Sequence, residues 1–328
     1  MLNMPYYRPV ALGDGLPLAG GPLRFARVEI LDRTAPTRIV DAESIPAAAL
    51  AALTAPRPPI AGLPAGRTAI MGILNITPDS FSDGGRNAAP AIAVAAAQAM
   101  ARAGADIIDI GAESTRPGAA AVDLATETAR LADVLPGMAG LNWSIDTRKA
   151  AIMALAIDHG AALVNDVSAL GADPAALALV AARGCPVVLM HAQGPPETMQ
   201  VAPSYENPLL DVYDWLAARI VECEAAGIAR GNIIADPGIG FGKNLGHNLA
   251  LLHGLTLFHG LGVPLLLGAS RKQLIARMAG DAPPDKRLPG SLALALHAAA
   301  CGVQLVRVHD VPETVQALAV WRSAQGAV

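Results

Sequence analysis

The residues with the clearest chemical potential in this 328-residue chain stand where short apolar runs stop. TAIMGIL (68–74) ends at Asn75, and DIIDIGA (106–112) leads into GAESTRPG (111–118) with Thr115 and Arg116. WSID (143–146) ends at Asp146, ALVND (162–166) at Asn165 and Asp166, and PVVLM (186–190) at Met190 and His191. NIIAD (232–236) ends at Asp236, PLLLGAS (264–270) at Ser270 ahead of Arg271 and Lys272, and QLVRVHD (304–310) carries Arg307 and His309. Asp236 and Asn165 offer acceptors and donors suited to the edge of a flat, nitrogen-rich heterocycle. Arg116, Lys272, Arg307 and His309 are cations or potential cations fit for a multiply charged phosphate. Arg307 and His309 are two residues apart on one run and so share a face of it, which favours a functional histidine. Asn75 and Asp79 are oxygen donors able to help hold Mg²⁺ beside phosphate, a role needing one or two protein ligands.

Other chemistries have little support. No Ser-His-Asp or Cys-His arrangement is evident, so a covalent acyl mechanism is disfavoured. HExxH and paired Cys/His metal spacings are absent. DPGIGFGKN (236–244) lacks the spacing of a phosphate loop, so its glycines serve tight turns and close approach of a ligand. DSFSDG (79–84) has Phe81 where a calcium loop needs a ligand. The stretch around it passes abruptly from apolar to polar, as a turn, a metal loop or a lid would. Asp166 divides evenly between a helix cap and a functional group. His159, His247, His253, His259 and His297 lie in or near helical patterns and read as structural or solvent-facing.

The elements that must position these residues follow from periodicity. The eight apolar runs alternate with Ala/Leu-rich helical segments such as 91–104 and 150–160, each ending in Gly. Such runs read as parallel strands buried on both faces, and eight units predict an α/β fold, a closed (β/α)₈ TIM barrel, with an open doubly wound sheet as the alternative. In a barrel all eight carboxyl ends lie on one rim, so the polar residues converge. Residues 1–66 form an N-terminal extension, partly ordered, with an alternating strand at 23–31 and a short helix at 44–53 capped by Ser44. The Pro-rich stretch 56–66 reads as a linker, and the barrel occupies 67–328. A net charge of −4 with scattered basic residues excludes a nucleic-acid or anionic-membrane footprint. No spanning segment or secretory signal is visible, and three widely spaced cysteines suit a reducing compartment, so a cytoplasmic location is expected.

Taken in order, MGILNITPDSFSDGG, DIGAESTRPGA, SIDTRKA, NDVSAL, MHAQGPPETMQ, DPGIGFGKN, GASRK and RVHDV resemble the dihydropteroate synthase family. Each motif alone is weak, but the ordered set is specific and covers nearly all of 67–318. Arg148 stands where the family often has Tyr, and Ser291 where it often has Thr; neither removes a proposed contact.

The resemblance implies a folate-pathway transferase on a TIM barrel, joining 6-hydroxymethyl-7,8-dihydropterin pyrophosphate to p-aminobenzoate with release of pyrophosphate. It implies Mg²⁺ and a homodimer. By the same resemblance Asp146, Asn165, Asp236 and Lys272 hold the pterin, with Met190 and Phe241 beside it. Arg307 packs by the ring and, with His309, Asn75 and Mg²⁺, holds the pyrophosphate, with Thr115 and Arg116 on a second mobile loop. Ser270, at a helix start, and Lys272 are expected near the p-aminobenzoate carboxylate. The segment from Thr77 to Gly85 is expected to be a lid, with Phe81 and Asp83 closing over p-aminobenzoate. Asp146, Lys272, Arg307, His309 and Arg116 are the expected catalytic residues. A methyltransferase-type pterin barrel and a non-catalytic pterin-binding paralogue are the competing readings.

Overall fold

The computed structural model describes residues 5–76, 89–113, 121–194 and 198–326. The chain begins with three antiparallel strands, β1 (Tyr6–Pro17), β2 (Arg24–Leu31) and β3 (Arg38–Asp41), followed by helix α1 (Ala47–Thr54). Leu18, Phe25, Val28, Ala42, Ile45 and Leu53 form their own small core. The predicted Ser44 cap is not used. Ser44 closes a 3₁₀ turn and donates its hydroxyl to the Asp41 carbonyl at 2.6 Å, and the helix starts after Pro46. This sheet packs on the flank of the larger unit, where the Thr256 hydroxyl donates to the Pro9 carbonyl at 2.8 Å and Arg33 meets Asp211 and Asp214.

The eight apolar runs are eight strands. They are β4 (Ala69–Asn75), β5 (Ile107–Gly111), β6 (Trp143–Asp146), β7 (Leu163–Asp166), β8 (Val187–Met190), β9 (Ile233–Asp236), β10 (Leu266–Leu267) and β11 (Leu305–Val308). All pairings are parallel, in the order β10-β11-β4-β5-β6-β7-β8-β9. The Ala235 N–H donates to the Pro264 carbonyl at 2.9 Å beside an Ala235–Leu265 bridge, and this joins β9 to β10 and closes the barrel. Helices α2 (Ala89–Arg102), α3 (Leu124–Ala132), α4 (Ala150–Asp158), α5 (Ala176–Arg183), α6 (Pro208–Ala225), α7 (Leu245–His253), α8 (Gln273–Ala279), α9 (Leu288–Ala300) and α10 (Val311–Ala324) fill the crossovers. Polar caps start several of them: Asp123, Asn207 and Asn244 each accept from a backbone N–H in the first turn. Among the described residues no helix is long and apolar enough to cross a membrane.

The strands bury both faces, as their near-continuous apolar runs require. The outward set packs on the helices, whereas Ala69, Met71, Ile107, Leu163, Val188, Ile234, Leu266 and Leu305 form a separate layer inside the barrel. Ile60 and Leu63 join that inner layer. The Pro-rich stretch, a linker by composition, therefore plugs the amino-terminal end of the barrel. Its prolines shape a cover, and the two branched side chains beneath are buried because the barrel leaves an apolar hole for them.

Candidate active site

Strand geometry builds the site one step above the inner apolar layer. Side chains two residues apart on a strand point the same way. From Ile107, Leu163, Val188, Ile234, Leu266 and Leu305, two residues on are Asp109, Asn165, Met190, Asp236, Gly268 and Arg307. Asp146 takes the equivalent place on β6, paired with Asn165, and Asn75 stands one inward step further along β4, two residues after Ile73. The polar residues thus replace apolar ones in the last inward positions before the mouth.

Arg307 organises one half. Its Nε donates to Asp109 Oδ2 at 2.6 Å and its Nη2 to Asp146 Oδ2 at 2.8 Å. Asn165 Nδ2 donates to the same Asp109 oxygen at 2.9 Å, and the Ser144 hydroxyl donates to Asp109 Oδ1 at 2.7 Å. Asp109 is thereby saturated. Asp146 is not: its Oδ1 is buried with no hydrogen-bond partner among the described residues. Burial pushes Asp146 up to about 7; Arg307 opposes this and Asp109 adds to it. Burial disfavours the Arg307 charge, but Asp109 and Asp146 outweigh it and hold the guanidinium above its ordinary range. An unpaired buried carboxylate oxygen is costly, and a ligand N–H relieves that cost.

The other half pairs Asp236 with Lys272. Burial raises Asp236, with Lys272 and the Gly238 N–H (2.7 Å from Oδ1) opposing. Burial pushes Lys272 down to about 8, with Asp236 opposing. The Lys272 ammonium sits 4.4 Å from the centre of the Phe241 ring and donates to the Ile239 carbonyl. Gly268 lies between the halves. A Cβ there would be 3.8 Å from Arg307 Cβ and 3.9 Å from both Asp236 Oδ2 and Lys272 Nζ. The missing side chain leaves a bare floor ringed by charge. Gly268→Ala should fold normally, since these are ordinary contact distances and its backbone needs no left-handed conformation. The methyl should still cut affinity for a flat ligand by about tenfold or more, because it intrudes on a fitted surface. Calorimetry on the folded variant tests this, and unchanged affinity would sink it.

Toward the mouth, Ser270 Oγ and His309 Nδ1 are 3.0 Å apart, and the same hydroxyl oxygen accepts from the His309 N–H at 3.2 Å. Ser270 does not stand at a helix start as expected, because α8 begins only at Gln273, with Lys272 as its cap. Ser270 lies on the preceding turn, where Arg271 adopts a φ of 56°. A non-glycine residue is held there only when its surroundings insist. They do: its N–H donates to Ser291 Oγ at 2.9 Å, its carbonyl accepts from Arg287 at 3.0 Å, and its guanidinium grips Asp310. Ser291, one of the two departures from the family pattern, thus supports this turn.

Asn75 ends β4, with its Oδ1 3.7 Å from where a Cβ on Gly111 would stand. Met190 and Phe241 help line a side cavity of about 280 Å³ with Arg148, Ser168 and Trp215. Thr115, Arg116, Asp79, Phe81 and Asp83, and the rest of the expected lid, lie outside the described residues.

Two residues of the site escape the sequence patterns. Asp109 sits inside an apolar run and reads as part of the strand; its inward register, two after Ile107, is the available signal. Lys243 is 2% exposed. Its ammonium donates to the carbonyls of Gly238, Phe241 and His191 at 2.9, 3.0 and 3.2 Å and lies 2.9 Å from His191 Nδ1. Burial pushes that histidine to about 2, with Lys243 adding, so the ring is neutral. The glycines beside it do turn tightly, at φ of 68°, 84° and 62° for Gly238, Gly240 and Gly242. The close approach at Gly238 and Gly242 is to protein backbone: a Cβ would stand 1.9 Å from the His191 carbonyl oxygen and 2.4 Å from that of Gln193.

Asp166 proves structural. It accepts from the Ser168 N–H at 2.7 Å and the Leu170 N–H at 2.8 Å, capping the turn after β7. His247 completes the α7 capping box, and His259 and His297 contact the backbone carbonyls of Cys301 and Leu252. Among the described residues no group of three or more His, Cys, Asp or Glu side chains could hold a metal.

Comparison with known proteins agrees with this geometry. Residues 71–309 match the family described as pterin binding enzyme. Dihydropteroate synthase from Escherichia coli K12 is 47% identical over 254 residues, covering 76% of this chain and 89% of that protein. The Neisseria meningitidis serogroup B enzyme of the same name is 47% identical over 265 residues, covering 77% and 92%. A crystal structure of Yersinia pestis dihydropteroate synthase with a sulfonamide drug complex superposes with a TM-score of 0.75 at 45% identity, covering 80% of this chain and 95% of that one. Xanthomonas albilineans dihydropteroate synthase in complex with 7,8-dihydropteroate gives 0.71 at 42% identity, covering 79% and 94%. With buried polar groups gathered at one end of a parallel barrel and this degree of likeness, the chain belongs to the pterin-binding enzyme family, among the dihydropteroate synthases.

Proposed function

We infer that the chain synthesises dihydropteroate, joining 6-hydroxymethyl-7,8-dihydropterin pyrophosphate to p-aminobenzoate and releasing pyrophosphate. The observation that carries this reading is the unpartnered buried Asp146 Oδ1, on the carboxylate held by Arg307, in a site where Arg307, Asp236 and Lys272 also surround the bare Gly268. Two buried carboxylates beside one ammonium complement a ring that presents several N–H donors and an acceptor. In this reading Asp146, Asn165, Asp236, Lys272, Met190 and Phe241 hold the pterin, and Asp109 fixes Asn165 and Arg307 beneath it. Arg307, His309 and Asn75 serve the pyrophosphate, to which the sequence motifs also assign Thr115 and Arg116. Ser270 and Lys272 serve p-aminobenzoate, to which the motifs also assign Phe81 and Asp83.

The reaction asks for charge placement more than for a nucleophile on the protein. As the pyrophosphate departs, the dihydropterin ring spreads the positive charge left on its methylene. Asp146 and Asp236 stabilise that charge from below. The arylamine is neutral near pH 7 and needs orientation above the methylene, not prior deprotonation; the proton in excess on its nitrogen once the C–N bond forms passes to the released pyrophosphate or to water. The substitution is therefore dissociative. Positional isotope exchange within the pyrophosphate, without p-aminobenzoate, is the expected result; its complete absence would point to concerted displacement.

Asn75 suits Mg²⁺. Its amide is a hard oxygen donor at the strand end, next to the gap that Gly111 leaves open, and Mg²⁺ takes its remaining ligands from water and phosphate. When bound, the metal would neutralise charge on the leaving pyrophosphate. The reading also includes a cytoplasmic homodimer with residues 1–66 as an extension to a barrel at 67–328; the dimer rests on family resemblance. Incorporation of p-aminobenzoate into dihydropteroate, with and without Mg²⁺, tests the whole. Metal-dependent product supports it; pterin binding without turnover would favour the non-catalytic reading.

A further inference from the structure

We propose that Lys243 is a positioning residue for the pterin half of the reaction, its buried ammonium fastening the loop after β9 to the end of β8 so that Asp236, Phe241 and Lys272 meet the ring. This rests on the pterin-site reading above and deepens it.

Among the described residues Lys243 has no carboxylate within hydrogen-bond reach; its partners are three carbonyl oxygens and one neutral imidazole nitrogen. Carbonyls only accept, so all three draw on the N–H groups of Lys243, and its ammonium form supplies one for each. Each bond leads to the site. The Gly238 carbonyl belongs to the residue whose N–H holds Asp236 Oδ1 at 2.7 Å. The Phe241 carbonyl belongs to the ring lying under Lys272. Between them is Ile239, whose carbonyl accepts from Lys272. The His191 carbonyl and ring anchor this set to the strand end that carries Met190. The backbone of Gly238 presses on His191 and that of Gly242 on Gln193 so closely that no side chain fits, which leaves the lysine as the polar bolt through the contact. Lys243 also acts through charge, because it is one of the cations opposing the upward shift of Asp236 by burial. Burial pushes Lys243 itself well down, Asp236 opposing and Lys272 adding.

Lys243→Met keeps the apolar stem and removes both the donors and the charge. In the folded variant KM for the pterin pyrophosphate is expected to rise about tenfold or more, and KM for p-aminobenzoate, which shares Lys272 alone of these groups, by a clearly smaller factor. The acid side of the pterin-affinity profile, set by the Asp146 and Asp236 carboxylates, should move to higher pH, since a lost cation makes Asp236 easier to protonate. Lys243→Gln retains two donors without charge and carries the acid-side test if the methionine variant fails to fold. Unchanged KM for both substrates would overturn the proposal, as would equal losses for both with the acid side unmoved. Failure of the wild-type chain to form dihydropteroate in the same assay would remove the functional reading itself, separately from the role of Lys243.

Discussion

Arg307→Met should lower the unfolding free energy by about 3–5 kcal/mol and abolish turnover, because it strands two buried carboxylates. Asp109 is 0% exposed and Asp146 4%, and the guanidinium is the cation that donates to both. Methionine replaces the stem at similar volume, so little of the loss comes from packing. Charge dominates instead. Asp109 keeps Ser144 and Asn165, but Asp146 keeps no side-chain donor among the described residues. The pH dependence carries the signature. Asp146 already sits raised to about 7 with Arg307 opposing the shift, so removing Arg307 raises it further. A carboxyl whose folded value is raised destabilises the fold once ionised, and this penalty fades as pH falls through that value. The deficit should therefore be largest at alkaline pH and narrow as the pH falls toward about 7, where Asp146 of the wild type takes up its proton as well. Adding Asp109→Asn should recover part of the stability, because one stranded charge is then gone. Urea unfolding across pH measures all three, and wild-type stability in Arg307→Met would show that the pair of contacts carries little weight.

Asp236→Asn should weaken pterin binding by about 10- to 100-fold, the equivalent of roughly 1–3 kcal/mol for a charge-assisted bond in a buried site. The amide keeps the shape and one acceptor, so the fold should survive. Lys272 reports the change. Burial holds it down at about 8 and the Asp236 charge is the main force opposing burial. Without that charge the ammonium loses its proton more easily, and the alkaline fall in pterin affinity should begin at lower pH than in the wild type. Calorimetric titration with the pterin from neutral to alkaline pH checks both effects. Affinity and alkaline limb matching the wild type would sink the proposed pairing.

The barrel is legible in the sequence because its strands are buried on two faces and so appear as unbroken apolar runs, even β10, which pairs over only Leu266 and Leu267. The rim residues are equally legible, since a polar group that ends a buried run must either leave the core or line a cavity. Other features depend on contacts that sequence does not display. Asp109 interrupts a run without ending it, and only the inward register separates it from a tolerated polar residue. Lys243 is satisfied by carbonyl oxygens, which every residue possesses, so no spacing announces its partners. Ile60 and Leu63 lie among prolines and read as connector until the barrel supplies the hole that they fill. Ser44 is the better cap by residue type, yet its hydroxyl is committed to Asp41 and Pro46 sets the start of the helix.

The stopper formed by Ile60 and Leu63 also governs traffic. With the inner apolar layer and these two side chains filling one end of the barrel, the described site residues lie toward the other end. The groups suited to the pterin lie at its depth, while Ser270 and His309 stand nearer the opening. Whatever binds at the bottom has to arrive first, and it leaves only after everything above has cleared.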